Sequence, residues 1–301
     1  MADTPKRRTF VVGSGRSGTT LLESLLGAHH GIMGFPESAF FVGIIGQVES
    51  RTRLQSDVTV KRRLGRVVSS ARIKLGFPRE GLTAGYLQPF LTKIGRTDLV
   101  DRFPSKTRSI AVQVDAFLEI LDVITAEEGK EFWVEKTPLH LFYIDEIERY
   151  VKQARFIHIV RRGPDVVASL FDASKRYKGI AWEDFPSLDR CINRWNHAIP
   201  MTQRHLQKPN HICITYEQLV DDTAGTLRKL CDFLETDYDP GMLTNYSHVA
   251  EFVSGGDPWK SNTACVIENA NATKFTTLLT PEQQEYVCNR LLKVDYSKFC
   301  V

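Results

Sequence analysis

The chain alternates short, continuous apolar runs with longer stretches in which apolar residues recur every three or four positions. Continuous β-branched and apolar runs are typical of buried strands, and the longer spacing is typical of helices with one buried face. The pattern predicts strands at 9–12, 31–35, 131–135, 155–160 and 211–215. It predicts helices at 19–26, 40–49, 58–75, 110–126, 166–174, 188–206 and 222–234, and one that begins at Pro138. This alternation predicts an α/β fold, a doubly wound parallel sheet with helices on both faces.

A glycine-rich turn joins the first predicted strand to the first predicted helix. Gly13, Gly15 and Gly18 allow the backbone to turn tightly and to come close to a ligand. Free amide groups beside a helix N-terminus bind anions. We therefore predict an anion site here, with side-chain donors from Arg16, Ser17, Thr19 and Thr20.

This turn departs from the loop of nucleoside triphosphatases at one position. Gly13 and Gly18 have the spacing of that loop, but Thr19 stands where its lysine should be. The cation lies inside the turn instead, at Arg16. The departure favours a phosphate or sulfate ligand handled without a metal, while a degenerate triphosphatase loop or a structural turn remains an alternative.

A second anion site is predicted after the strand 155–160. Arg161 ends that strand, and Ser169 follows in the next helix, from which it could turn back towards Arg161. Ligands of parallel sheets bind at the carboxyl ends of the strands, so the two anion sites are expected at neighbouring strand tips. An ion pair between Arg161 and Asp165 is the alternative reading of this arginine.

Length and composition predict one globular domain over residues 1–301. The chain has no apolar run long enough for a membrane-spanning helix, and no apolar segment follows its polar, basic start. The six cysteines lie in the C-terminal half without C-x-x-C spacing, which favours reduced thiols over disulfides or a zinc site. We predict a cytoplasmic protein with no transmembrane segment.

The net charge of +3 conceals one basic block at 51–80, where nine Lys or Arg residues face two acidic residues. A solvated helix face is the first interpretation, and a lid that attracts an anionic acceptor or a membrane surface is the second. Aromatic residues are not interleaved with these charges, so nucleic acid is not predicted as a partner.

These motifs together resemble those of the sulfotransferases that use 3′-phosphoadenosine 5′-phosphosulfate (PAPS). Residues 15–22 (GRSGTTLL) resemble their P-loop-like phosphosulfate-binding loop, and 161–170 (RRGPDVVASL) resemble their 3′-phosphate motif. Residues 133–138 (WVEKTP) are similar to a segment of the bacterial and tyrosylprotein-type members, and 280–283 (TPEQ) open a terminal helix as theirs do. Tyr216 lies in a stretch similar to the one that borders their adenine.

The resemblance implies transfer of a sulfonyl group from PAPS to an acceptor hydroxyl or amine, with no metal. Charge that develops on the bridging oxygen needs fixed donors, and Arg16 and Lys136 occupy the matching positions. Glu37 is similar in position to the glutamate base of the tyrosylprotein, glycan and bacterial members. Pro138 stands where cytosolic phenol and steroid enzymes have a histidine base. The helix that begins there should direct His140 elsewhere.

The C-terminal part departs from the family pattern. Cytosolic members clamp the 3′-phosphate with an Arg-Lys-Gly stretch, for which Lys260 and Lys274 are weak counterparts. The predicted cofactor-binding residues are Gly15, Arg16, Ser17, Gly18, Thr19, Thr20, Arg161, Ser169, Tyr216 and Lys274.

The acceptor side is expected in the helical, basic region at about 38–107. A small molecule, a carbohydrate, a lipid or a peptide would fit the chemistry, and a homodimer is left open. Two other classes remain as alternatives. One is a P-loop kinase or other NTP-binding enzyme that uses Mg²⁺, against which Thr19 counts, and the other is a non-catalytic nucleotide-binding or scaffold protein.

Overall fold

A computed structural model describes residues 7–46, 75–77, 87–104, 107, 109–177, 187–254, 267 and 273–299. Most of the predicted helix 58–75, most of the basic block and Lys260 lie outside the described residues. The acceptor-side region 38–107 is therefore described only in part.

The core of the fold is a five-stranded parallel sheet, as the sequence predicted. Its strands are β1 (Arg8–Gly13), β2 (Ile32–Phe35), β3 (Phe132–Lys136), β4 (Ala154–Val160) and β5 (His211–Thr215). Their order in the sheet is β2-β3-β1-β4-β5. Val11 of β1 lies beside Lys136 of β3, and Gly13 lies beside Ile159 of β4. The carboxyl ends of β1, β3 and β4 therefore meet at the middle of one edge.

Helices follow the strands in the predicted order. They are α1 (Thr19–Gly27), α2 (Phe40–Ile45), α3 (Gln88–Lys93), α4 (Ile110–Glu127), α5 (Ile144–Tyr150), α6 (Gly163–Arg176), α7 (Leu188–His205), α8 (Tyr216–Asp221), α9 (Thr223–Leu234), α10 (Gly241–Thr244), α11 (Tyr246–Ser254), α12 (Thr273–Leu278) and α13 (Pro281–Arg290). Short 3₁₀ helices span Thr97–Arg102, Pro138–Tyr143 and Tyr296–Phe299.

Both faces of the sheet are covered by apolar packing. Phe10 and Val12 of β1 point to one side, where they pack with residues of α2 and α4. Val11 points to the other side and packs with residues of α1 and α9. Alternate residues of a strand face opposite sides, so a run that is apolar throughout requires cover on both.

Two predicted helices differ in detail. The helix predicted at 40–49 ends at Ile45, because Gly46 leaves the helical conformation with a φ of 70°. The helix predicted from Pro138 begins as a 3₁₀ turn, in which the His140 amide donates to the Thr137 carbonyl, and only later continues as α5.

Within the described residues, no helix combines the length and the apolar character needed to cross a membrane.

Candidate active site

The glycine-rich turn connects the end of β1 to α1, as predicted. Gly18 precedes α1 with a φ of 92°, and Arg16 also has a positive φ of 71°. No acidic residue lies in the first turn of α1. The amide groups and the positive end of the helix dipole therefore meet at the carboxyl edge of the sheet, an arrangement that attracts an anion.

Two glycines are required by close packing rather than by flexibility alone. A Cβ on Gly13 would lie 2.5 Å from the Ile159 carbonyl oxygen of the neighbouring strand. A Cβ on Gly18 would lie 2.5 Å from the Tyr216 ring. The turn is thus held tightly against β4 and the start of α8.

Replacing Gly18 with alanine is expected to lower the free energy of unfolding by about 1–3 kcal/mol, since alanine disfavours this φ and meets Tyr216. Urea unfolding of the purified proteins measures the difference. Gly15→Ala is the matched control, because a Cβ there meets nothing within 4 Å, and its stability should change by less than about 0.5 kcal/mol. Equal stability of the two variants would contradict the packing argument.

The two predicted anion sites adjoin each other. The Arg16 Nε donates to the Ser169 hydroxyl at 3.1 Å, and the Arg161 Nη1 donates to the Arg16 carbonyl at 3.3 Å. The arrangement arises because β1 and β4 are neighbours, and Ser169 lies in the second turn of α6. Arg161 therefore lies on the same side of the sheet as the glycine-rich turn.

The electrostatics of this cluster suit a polyanion. Burial, followed by the nearby Arg161 guanidinium, lowers the pKa of Arg16, although an arginine remains charged at neutral pH. The two guanidinium groups repel each other, and a bound anion would relieve that repulsion.

Tyr216 adjoins the same cluster. The Arg161 guanidinium carbon lies 4.1 Å from the centre of the Tyr216 ring, within the range of a cation–π contact. Burial raises the pKa of Tyr216, so its hydroxyl stays neutral. Tyr216 thus orients Arg161 and also limits the space above Gly18.

Two of the three predicted catalytic residues, Lys136 at the end of β3 and Glu37 just after β2, are in contact. The Lys136 Nζ donates to Glu37 Oε1 at 2.7 Å and lies 3.5 Å from Glu23 Oε2. Lys136 and Glu23 are fully buried, whereas the Glu37 side chain is 37% exposed. Burial alone would lower the pKa of Lys136, but Glu37 and Glu23 outweigh it, and the pKa is raised.

A buried network positions the segment that carries Glu37. The Ser38 amide and hydroxyl donate to Glu135 Oε1 at 3.0 and 2.8 Å. The Thr137 hydroxyl donates to the same oxygen at 2.6 Å and accepts from the Ala39 amide at 3.1 Å. Glu135 therefore fixes the backbone on the C-terminal side of Glu37.

His140 belongs to this network and not to the lysine side. It is fully buried, its Nδ1 lies 3.0 Å from Glu135 Oε2, and its Nε2 accepts from the Phe41 amide at 3.3 Å. Glu135 and Lys136 are successive residues of a strand and face opposite sides, so His140 is directed away from Lys136, as expected.

Lys274 forms an ion pair with a carboxylate of α6. Its Nζ donates to Asp172 Oδ2 at 2.7 Å, and Arg176 donates to the other oxygen of Asp172 at 2.6 Å. Asp172 lies in α6, about one turn beyond Ser169. The structure thus places Lys274 against α6, where Asp172 holds it.

Comparison with known proteins points to one family. A profile described as "Sulfotransferase family" matches residues 8–240. A protein-tyrosine sulfotransferase 1 from Danio rerio is 24% identical over 237 residues, which cover 78% of this chain and 54% of that protein. The matched segments span between 23% and 56% of the length of the curated relatives.

Two solved structures share the fold. The sulfotransferase domain from the curacin biosynthetic pathway has a TM-score of 0.59 at 18% identity, covering 94% of this chain and 96% of that one. The sulfotransferase domain from the Synechococcus PCC 7002 olefin synthase has a TM-score of 0.57 at 22% identity, covering 95% of each chain. Because the family profile matches residues 8–240, which are most of this chain, the chain belongs to the PAPS-dependent sulfotransferase family.

Proposed function

We propose that this protein transfers the sulfonyl group of PAPS to an acceptor hydroxyl or amine, with Glu37 as the general base. The observation that carries the proposal is the contact of Arg161 with the Arg16 carbonyl, which joins the two anion sites into one surface. A nucleotide with phosphate groups at both its 5′ and 3′ positions needs two such sites close together.

The residues present fit the donor. The tight turn at Gly13 and Gly18 and the N-terminus of α1 offer amide groups to a phosphosulfate. Arg161 and Ser169 would offer charged and neutral donors to a 3′-phosphate, and Tyr216 would border the nucleotide. PAPS supplies a sulfonyl group on a good leaving group, the phosphate oxygen of adenosine 3′,5′-bisphosphate.

The chain supplies the charges that such a reaction needs. Arg16 and Lys136 are held in place before the reaction and can stabilise negative charge on the leaving oxygen. Glu37 is the most exposed member of the lysine cluster and can accept the proton of the acceptor. We propose that these fixed cations make the transfer independent of a metal.

Calorimetry tests the proposal directly. Adenosine 3′,5′-bisphosphate with EDTA should bind, and MgATP should bind weakly or not at all. Binding of MgATP alone would favour a kinase or another NTP-binding enzyme. Nucleotide binding without turnover of PAPS against any acceptor would favour a non-catalytic role.

Replacing Arg161 with methionine is expected to weaken binding of adenosine 3′,5′-bisphosphate by about 10–100-fold, because a charge-assisted hydrogen bond contributes about 1.5–3 kcal/mol. Arg162→Met is the matched control. Arg162 is the next residue, its side chain is mostly exposed, and the charge change is the same. Similar losses in both variants would indicate a general charge effect instead of a site at Arg161.

The proposal also covers the class of acceptor and the cellular location of the enzyme. A carbohydrate, a lipid, a phenolic small molecule and a peptide tyrosine each carry a suitable hydroxyl, and a screen with radiolabelled PAPS distinguishes them. A cytoplasmic location is supported by the cysteines. Those within the described residues are free thiols, and Cys191, Cys213 and Cys231 are buried.

A further inference from the structure

Glu23 is a buried carboxylate in α1, among the leucines that pack against the sheet. Its relative exposure is 0%, as is that of its neighbours Leu22, Leu25 and Leu26. A carboxylate is costly to bury unless a cation lies close to it. The Lys136 Nζ is that cation, 3.5 Å from Glu23 Oε2.

Lys136 therefore lies between an inner and an outer carboxylate. The inner one, Glu23, is closed off from solvent, and the outer one, Glu37, is 37% exposed and accepts the 2.7 Å hydrogen bond. Glu135 of the same strand also acts on the lysine, from the opposite face of the sheet. Glu37 would suffice to neutralise the lysine in the resting protein, so Glu23 adds a second negative charge.

The second negative charge is needed because the proposed reaction neutralises Glu37. When Glu37 takes the acceptor proton, the acceptor oxygen bonds to sulfur and the bond from sulfur to the bridging oxygen breaks. The electron pair of that bond stays on the phosphate of adenosine 3′,5′-bisphosphate. Glu37 is then neutral, and Lys136 would be a buried ammonium whose outer partner has lost its charge.

We propose that Glu23 is a positioning residue, the permanent counter-ion of Lys136. With Glu23 in place, Glu37 can release its hydrogen bond from Lys136 and take a proton from the acceptor. This role rests on the proposed sulfonyl transfer. Glu23 keeps Lys136 charged on the closed side of the site, while the hydrogen bond from the Lys136 Nζ to Glu37 breaks and re-forms in each turnover.

The charge of Lys136 can be measured without any turnover. Glu37→Gln imitates the protonated base, and Lys136 should remain an ammonium in that variant because Glu23 is still present. In the double variant Glu23→Gln/Glu37→Gln, burial should lower the pKa of Lys136 below its ordinary value, because neither carboxylate is left to oppose it. NMR of protein that carries isotope-labelled lysine side chains reports the two charge states. The same lysine titration in the single and double variants would overturn the proposal.

Turnover provides the second readout. Glu23→Gln should lower kcat by about tenfold or more, while the KM for PAPS stays within about threefold, and Glu23→Asp should recover part of the loss. Glu119→Gln, at an exposed position of α4, is the control for loss of one charge. A wild-type kcat in Glu23→Gln would overturn the role. A wild-type protein that turns over no acceptor would instead refute the proposed function and leave the NMR result standing.

A second pair of variants tests the counter-ion role in case Glu23→Gln does not fold. If Glu23→Gln fails to fold, the pair Lys136→Met and Glu23→Gln/Lys136→Met is compared by thermal unfolding. A counter-ion role requires the double variant to be more stable than Lys136→Met, because the buried carboxylate is then removed together with its cation. A double variant that is no more stable would overturn the pairing.

Discussion

Replacing Glu37 with glutamine is expected to lower kcat by about 10²–10⁴-fold, while the affinity for adenosine 3′,5′-bisphosphate stays within a few-fold of wild type. Glutamine has the same shape and can still accept the hydrogen bond from Lys136, but it cannot take a proton from the acceptor. The side chain lies on the open side of the lysine, where an acceptor can approach it. Steady-state kinetics with saturating PAPS and calorimetry measure the two quantities.

Glu119→Gln is again the control for this experiment, since it removes one carboxylate from the exposed face of α4. It should leave both kcat and nucleotide affinity unchanged. An unchanged kcat in Glu37→Gln would show that another group takes the proton. A large loss of nucleotide affinity would place Glu37 in donor binding instead of catalysis.

The features that the sequence predicted well are contiguous in the chain. The glycine-rich turn lies between β1 and α1, and Arg161 and Ser169 lie within one strand-to-helix connection. Such segments carry their own signals, namely apolar runs, glycines and the start of a helical pattern. The parallel sheet followed from the same alternation, and the adjacency of β1 and β4 confirmed that the two motifs share one edge.

Glu23 shows what local pattern cannot provide. In α1 it lies beside apolar residues of the buried face, but a glutamate in an amphipathic helix is ordinarily assigned to the exposed face. Its charge is compensated by Lys136, which lies at the end of β3. That strand is next to β1 in the sheet. The sequence analysis singled out the lysine through its resemblance to a motif and missed the carboxylate, since only the three-dimensional pairing reveals it.

The region around Pro138 shows a second limit. Proline favours the first turn of a helix but does not determine whether that turn is α or 3₁₀. The 3₁₀ turn brings His140 beneath β3, where Glu135 holds it. Because Glu135 and His140 face the side of the sheet opposite Lys136, they hold the backbone next to Glu37 in place and do not line the site itself.

The strand ends carry two groups of charged side chains that differ in composition. Arg16 and Arg161 form a cationic region beside the glycine-rich turn, whereas Lys136 is already surrounded by carboxylates. In the proposed reaction, this cationic region would attract the donor's phosphate groups, and Lys136 would stabilise the leaving oxygen. Donor binding and chemistry are therefore expected to respond to different substitutions.

Replacing Lys136 with methionine is expected to affect both chemistry and stability. It should lower kcat by about 10²–10³-fold, because a fixed donor to the developing charge is lost. It should also lower the free energy of unfolding by about 3–5 kcal/mol, because Glu23 loses the cation beside it in a fully buried position. Kinetics at saturating PAPS and urea unfolding measure the two effects separately.

The double variant Glu23→Gln/Lys136→Met separates the two effects. Removing the inner carboxylate should restore much of the stability, since no buried charge is then left uncompensated on the closed side. It should restore none of the activity, because the donor to the leaving oxygen is still absent. Recovery of kcat in the double variant would mean that Lys136 acts only as a structural partner, and full stability in Lys136→Met alone would contradict the buried charge cluster itself.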